Sequence, residues 1–141
     1  MLLLGLFPMS ASCQSAQPSA AKLLIGTWES FGVAFSELAI NVQPGFLDMG
    51  DCSHIRYAVI RDQPGYGHGP ENRRSGHVWR SVAIQLVPGN AEQAQCLQWT
   101  VLEFSILLDK QVSADVALFK TRAEFGKSSD YFGWGNWIKV K

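Results

Sequence analysis

The sequence predicts a mainly β protein, a small antiparallel β-barrel or sandwich. Three observations predict it. Apolar residues alternate with period two over 23–108. The alternating runs are rich in β-branched and aromatic residues, which suit a pleated, half-buried surface. Turns carrying Pro and Gly separate the runs at short intervals. At 141 residues the chain makes one domain, long enough to bury a core.

Residues 1–12 read as a secretory signal. Leu2-Leu3-Leu4-Gly5-Leu6-Phe7 is an apolar run followed by Pro8 and small or polar residues, and no charge occurs before Lys22. Apolar then small is the order an export signal needs. Ser and Pro break the stretch well before the roughly 20 apolar residues that a membrane-spanning helix requires. Ser10-Ala11-Ser12-Cys13 resembles a bacterial lipobox, with Ser10 where that pattern usually has Leu. The resemblance implies lipidation of Cys13, while the plainer reading is a tail with an incidental cysteine. Residues 13–22 then form a flexible tether, since Gln, Ser, Ala and Pro cannot pack a core. The domain is expected over 23–141.

Within it, Ile25, Phe31, Val33 and Phe35 share a parity around Trp28, and Leu38, Ile40 and Val42 form the next run. Pro44-Gly45 and Met49-Gly50-Asp51 punctuate the chain before Ile55, Tyr57 and Val59. Asp62 to Gly76 reads as one long loop, rich in Gly and Pro, and ordered loops of that length are often functional. Val78, Val82, Ile84 and Leu86 share a face on which Arg80 is the exception. After Pro88-Gly89-Asn90, the stretch from Cys96 to Leu108 puts Thr100, Leu102, Phe104, Ile106 and Leu108 on one side. Residues 114–125 fit either a strand or a short helix. Ser113 as a cap and Gly126 as a stop favour the helix. Residues 131–141 read as a closing strand.

Cys52 and Cys96 remain as an even pair once Cys13 is lipidated or removed. In an oxidising compartment such a pair is expected to bridge. The competing reading is two buried thiols acting as small hydrophobes.

Leu24-Ile25-Gly26-Thr27-Trp28-Glu29 resembles the Gly-x-Trp opening of lipocalin-like barrels. The same Leu-x-Gly-x-Trp start occurs in small exported bacterial barrels, including a family of inhibitors of secreted proteases. The resemblance covers those six residues, and none of the later lipocalin motifs is present. It implies a barrel with Trp28 plugging one end, and makes Gly26 and Trp28 structural rather than ligand contacts.

The 12 basic residues balance the 12 acidic ones, which excludes a strongly basic nucleic-acid binder and an acidic disordered chain. The balance is global but not local: residues 22–55 carry a net −3, which a net +3 over residues 56–80, its positive charges all arginine, cancels. Arg73 and Arg74, with Arg56, Arg61 and Arg80, are therefore candidates for an anion site or a patch facing anionic lipid, since guanidinium forks suit carboxylates and phosphates. The plainer reading pairs them with neighbouring acids. Trp134 and Trp137 are the second binding candidates. They sit in Tyr131-Phe132-Gly133-Trp134-Gly135-Asn136-Trp137, where glycines leave aromatic faces accessible. Their opposite parity on a strand would send one inward and one outward.

Catalytic and metal chemistry find little support. There is no Gly-x-Ser-x-Gly motif, and a Cys52–His54 pair would lose its thiol to the disulfide. His68, Glu71 and His77 match no metal-ligand spacing, so they read as solvated loop residues. Gly65-x-Gly67-x-Gly69 lacks the helix that a nucleotide fingerprint leads into. No cofactor and no metal are expected. The expected function is an exported, non-catalytic binding protein, periplasmic or held to a membrane by lipid. Either it carries a small apolar or amphipathic ligand inside the barrel, or it binds an envelope protein, for example as an inhibitor of an extracellular hydrolase.

Overall fold

The computed structural model describes residues 19–31, 39–68, 76–109, 113–127 and 133–140. Eight strands close into an antiparallel barrel in sequence order. They are β1 (Gly26–Phe31), β2 (Ala39–Gln43), β3 (Phe46–Met49), β4 (Cys52–Pro64), β5 (Trp79–Val87), β6 (Val101–Leu107), β7 (Ser113–Phe119) and β8 (Gly133–Lys139). Every neighbour pair is antiparallel, and β1 pairs with β8 through Trp28 opposite Lys139 and Ser30 opposite Trp137. Three short helices complete the fold: α1 (Ala20–Leu24), α2 (Ala91–Cys96) and α3 (Arg122–Phe125). The barrel alternative of the sequence reading is thus the observed one.

The period-two pattern becomes the inside of the barrel. Trp28, Ile40, Val42, Leu47, Ile55, Val82, Ile84, Leu102, Phe104, Ile106, Val116, Leu118 and Trp137 are all buried in one contiguous cluster. Trp28 and Phe104 meet with ring centroids 5.6 Å apart. Each large side chain so buried stabilises the fold by about 1.5–3 kcal/mol relative to exposure.

Trp28 closes one end, as the Gly-x-Trp resemblance implies. Its indole Nε1 donates to the Leu24 carbonyl at 2.9 Å. Lys139 Nζ sits 5.0 Å from the ring centroid and donates to the Leu23 carbonyl at 2.6 Å. Helix α1 lies where the tether was expected to end. Ser19 caps it, with its hydroxyl accepting from Lys22 N–H, and Ala20, Leu23 and Leu24 are buried beneath it. The small and apolar residues of 19–24 therefore pack rather than dangle.

Two further expectations change. Residues 113–119 are strand, and the helix expected near 114–125 is confined to 122–125. The strand wins because both of its faces are covered: Ala114 to Phe119 are all buried. The long loop expected from Asp62 begins later, because β4 continues to Pro64, opposite Arg80. A register shift between Val59 and Arg61 re-aims the end of that strand. Val59 lies opposite inward-facing Ile84, whereas Arg61 lies opposite Ala83 on the outer wall.

Candidate functional site

Two places on the barrel gather polar chemistry. The first is the outer wall of β6 and β7. Glu103, Ser105 and Asp115 point away from the interior, yet all three are buried. The chain after β4 turns back as a strap across them. Tyr66 Oη donates to Asp115 Oδ2 at 2.5 Å, and Gly67 N–H donates to Ser105 Oγ at 3.0 Å. His68 donates to Glu103 Oε1 through its backbone N–H at 2.6 Å and its ring Nδ1 at 2.7 Å. Arg61 pairs with Glu103 Oε2. Helix α3 reaches the same wall from the far end of β7, where Phe125 packs with Phe119, Val101, Ala117 and Ala83 in a second apolar cluster. Arg61 lies over the Phe125 ring, 4.6 Å from its centroid.

Burial alone would push the Glu103 carboxyl up. The His68 hydrogen bonds, with the His68 and Arg61 charges, outweigh it and hold the group below the usual carboxylate range. Gly67 is required for the approach: a Cβ there would run into the Glu103 carboxylate. Fixed donors on a buried carboxylate make this cluster a fastening for the strap.

The second place is the barrel end that carries the Cys52–Cys96 disulfide, whose Cα atoms are 5.8 Å apart. It ties the start of β4 to the last residue of α2. Helix α2 was not anticipated, although Pro88-Gly89-Asn90 followed by Ala-Glu-Gln carries a cap signal. Asn90 Oδ1 accepts from Gln93 N–H at 2.8 Å, and the Gln93 side chain reaches back to accept from Gly89 N–H at 2.7 Å, close to a capping box. The Gln93 amide also donates to the Ser53 and His54 carbonyls at 3.1 and 3.3 Å. His54, the third residue of β4, has a left-handed φ of 53°, held by its N–H on Asp48 Oδ1 at 2.8 Å.

Two clefts flank this disulfide. One of about 380 Å³ is lined by Asp51, Cys52, Ser53, Asn90, Glu92, Gln93 and Cys96. The other, about 250 Å³, is lined by Met49, Gly50, Asp51, Cys52, Cys96, Gln98 and Trp99. Asp51 and both cysteines belong to each.

The sequence candidates divide among these places. Arg73 and Arg74 lie outside the described residues, as do Glu71, Cys13 and residues 1–12. Of the other arginines, Arg61 is engaged with Glu103, and Arg80 makes a two-bond fork with Asp62, both bonds at 2.7 Å. Arg56 is exposed. Trp137 is an interior residue with no exposure. The Trp134 backbone pairs with Ala117, and its side chain is outside the described part. His68 is not the solvated loop residue expected: its side chain is 10% exposed and faces Glu103. His77 is exposed and 3.8 Å from Asp109. Among the described residues, no three His, Cys, Asp or Glu side chains converge as a metal site would require. No described helix is long and apolar enough to cross a membrane. No protein-family model, no curated protein and no solved structure matches the chain.

Proposed function

We propose that this is an exported, non-catalytic binding protein whose partner is another protein, met on the outside of the barrel. The observation that carries this reading is the filling of the interior among the described residues. Trp28, Phe104, Trp137, Leu102, Ile84 and Ile40 occupy the inside positions with no exposure, where a carrier keeps a ligand-sized space. This favours protein binding over carriage of a small apolar ligand. Inhibition of an extracellular hydrolase and assembly of envelope components are the two activities of this class. The Cys52–Cys96 bridge supports an oxidising compartment, because such bridges persist there and are rare in a reducing cytosol. An exported chain with a lipid on Cys13 would work at a membrane surface.

Two measurements test the reading. The native protein is titrated with a fluorescent apolar probe while tryptophan emission is followed. No saturable uptake is expected from the wild type, whereas Phe104→Ala, which opens space beside Trp28, should admit the probe. Stoichiometric uptake by the wild type would restore the carrier. Mass spectrometry of cell fractions should find the chain without residues 1–12 in the envelope, and intact Met1 in the cytoplasm would defeat export.

A further inference from the structure

We infer that the Cys52–Cys96 disulfide is a thiol–disulfide exchange site for a dithiol donor, and that opening it releases helix α2 and joins the two clefts on either side of it. Three observations lead there.

The bond is reachable in the folded state. Both sulfur-bearing residues line both clefts, so a thiolate has approach space beside the bond without unfolding the barrel. The two ends differ in cover: Cys52 is 6% exposed, while Cys96 is half-buried at the end of its helix. Cys96 Sγ is therefore the sulfur attacked, and Cys52 Sγ leaves.

The helix behind the bond is lightly held. No residue of α2 is buried. Among the described residues, its side chains reach β4 through the disulfide and through the Gln93 amide on Ser53 and His54. Its anchors in the core lie at its last residue and just afterwards, at Cys96, Leu97 and Trp99. Cutting the disulfide would thus leave residues 88–95 as a loop held to β4 by the Gln93 side chain, between Val87 and the Cys96–Leu97 contact with the core.

The bond is also a partition. Asp51, Cys52 and Cys96 form the wall that the clefts share. With the S–S bond opened, Ser53 and Glu92 on one side and Met49 and Trp99 on the other would line one continuous groove, with Asp51 between them.

The exchange balances as follows. A donor thiolate attacks Cys96 Sγ, forms a mixed disulfide and expels the Cys52 thiolate, which takes up a proton. The donor's second thiol, as thiolate, then attacks its own sulfur in the mixed disulfide and expels Cys96. The protein gains two electrons and two protons, and the donor leaves as a disulfide.

The test follows reduction of the native full-length protein by dithiothreitol without denaturant, quenched by alkylation and read by mass. Reduction is expected to rise in proportion to dithiothreitol. Gln93→Ala, which loosens α2 alone, should speed it about fivefold, the equivalent of one net hydrogen bond. Ile84→Val trims the core on β5 and shifts the unfolding equilibrium by about fivefold, yet should leave the reduction rate unchanged. A rate that follows the Ile84→Val loss of stability would mean that reduction passes through the unfolded chain, and the inference would fall. With glutathione as the donor, peptide mapping should find the mixed disulfide on Cys96. A mixed disulfide on Cys52 would overturn the order of attack. After reduction, hydrogen exchange should quicken at 88–96 and stay slow in β5, β6 and β7. Loss of protection across the barrel would show that the bond holds the whole fold together.

Discussion

Glu103 leaves the barrel wall on its outer face and is nonetheless fully buried, because His68 crosses over it and donates twice to a single carboxylate oxygen. With Arg61 on the other oxygen, the carboxylate must be ionised for the cluster to hold. Replacing it by Glu103→Gln leaves the guanidinium and the imidazole without their shared partner. The expected cost at neutral pH is about 2 kcal/mol, below the roughly 3–5 kcal/mol of breaking a fully buried ion pair, since Arg61 is partly exposed. Urea denaturation checks it.

The same carboxylate gives a pH dependence with a definite sign. The folded protein holds the Glu103 proton less readily than an unfolded chain, in which such a group titrates near 4.5. Its contribution to stability is therefore complete above that value and disappears as pH falls through the lower, folded value. The wild-type urea midpoint should drop on acidification below about pH 4.5 by more than that of Glu103→Gln. Parallel pH profiles for the two proteins would show that the fold does not lower the Glu103 pKa, and a wild type that gains on Glu103→Gln as pH falls would show that it raises it.

Gly67 should tolerate no side chain. The space where its Cβ would stand is occupied by the Glu103 carboxylate, so Gly67→Ala must lift the strap or displace the carboxylate. A loss of about 1–3 kcal/mol is expected, the usual penalty for overpacking. Hydrogen exchange of the Gly67 and His68 amides should quicken, because both donate to the outer wall.

At the plugged end, Lys139 links the last strand to the first helix. Lys139→Met keeps the stem that packs over Trp28 and removes the donor to Leu23. Loss of that bond should cost about 1 kcal/mol. Faster exchange at residues 20–25, with β6 unchanged, is the local signature.

The disulfide closes a separation of 44 residues, for which chain entropy gives about 4 kcal/mol. The Cys52→Ser/Cys96→Ser double variant should fall short of the oxidised wild type by that amount in urea denaturation. A difference under about 1 kcal/mol would mean that the reduced, unfolded chain stays compact around this loop.

The interior was readable from the sequence because alternation is a local signal. Leu102, Phe104 and Ile106 declare their common face within five residues, and the structure places all three inside. The outer wall was not readable for the same reason. Glu103, Ser105 and Asp115 stand where a barrel turns polar residues to water. What buries them is a strap whose His68 lies 35 positions away from Glu103. That long-range cover also hid β7: with Ala114 to Phe119 buried on both faces, the strand lost its alternation, and the cap and stop signals tipped the reading towards a helix. The disulfide pair followed from counting cysteines. The clefts beside it did not, since they depend on how α2 lies against β4.

Among the described residues, one stretch of this closed barrel has a strand on one side alone. Residues 58–64 of β4 pair with β5, whereas the register with β3 ends at Arg56. Along their other side no strand pairs with them among the described residues, the kind of rim to which a second chain can add a strand. A protein with no net charge has little long-range repulsion to keep copies apart. Here the irregularity near Ile60 bends the rim, Asp62 places a charge beside it, and Pro64 withholds an N–H at its tip. Closure of the fold and protection from self-association are thus separate achievements, the second resting on a few residues of one strand.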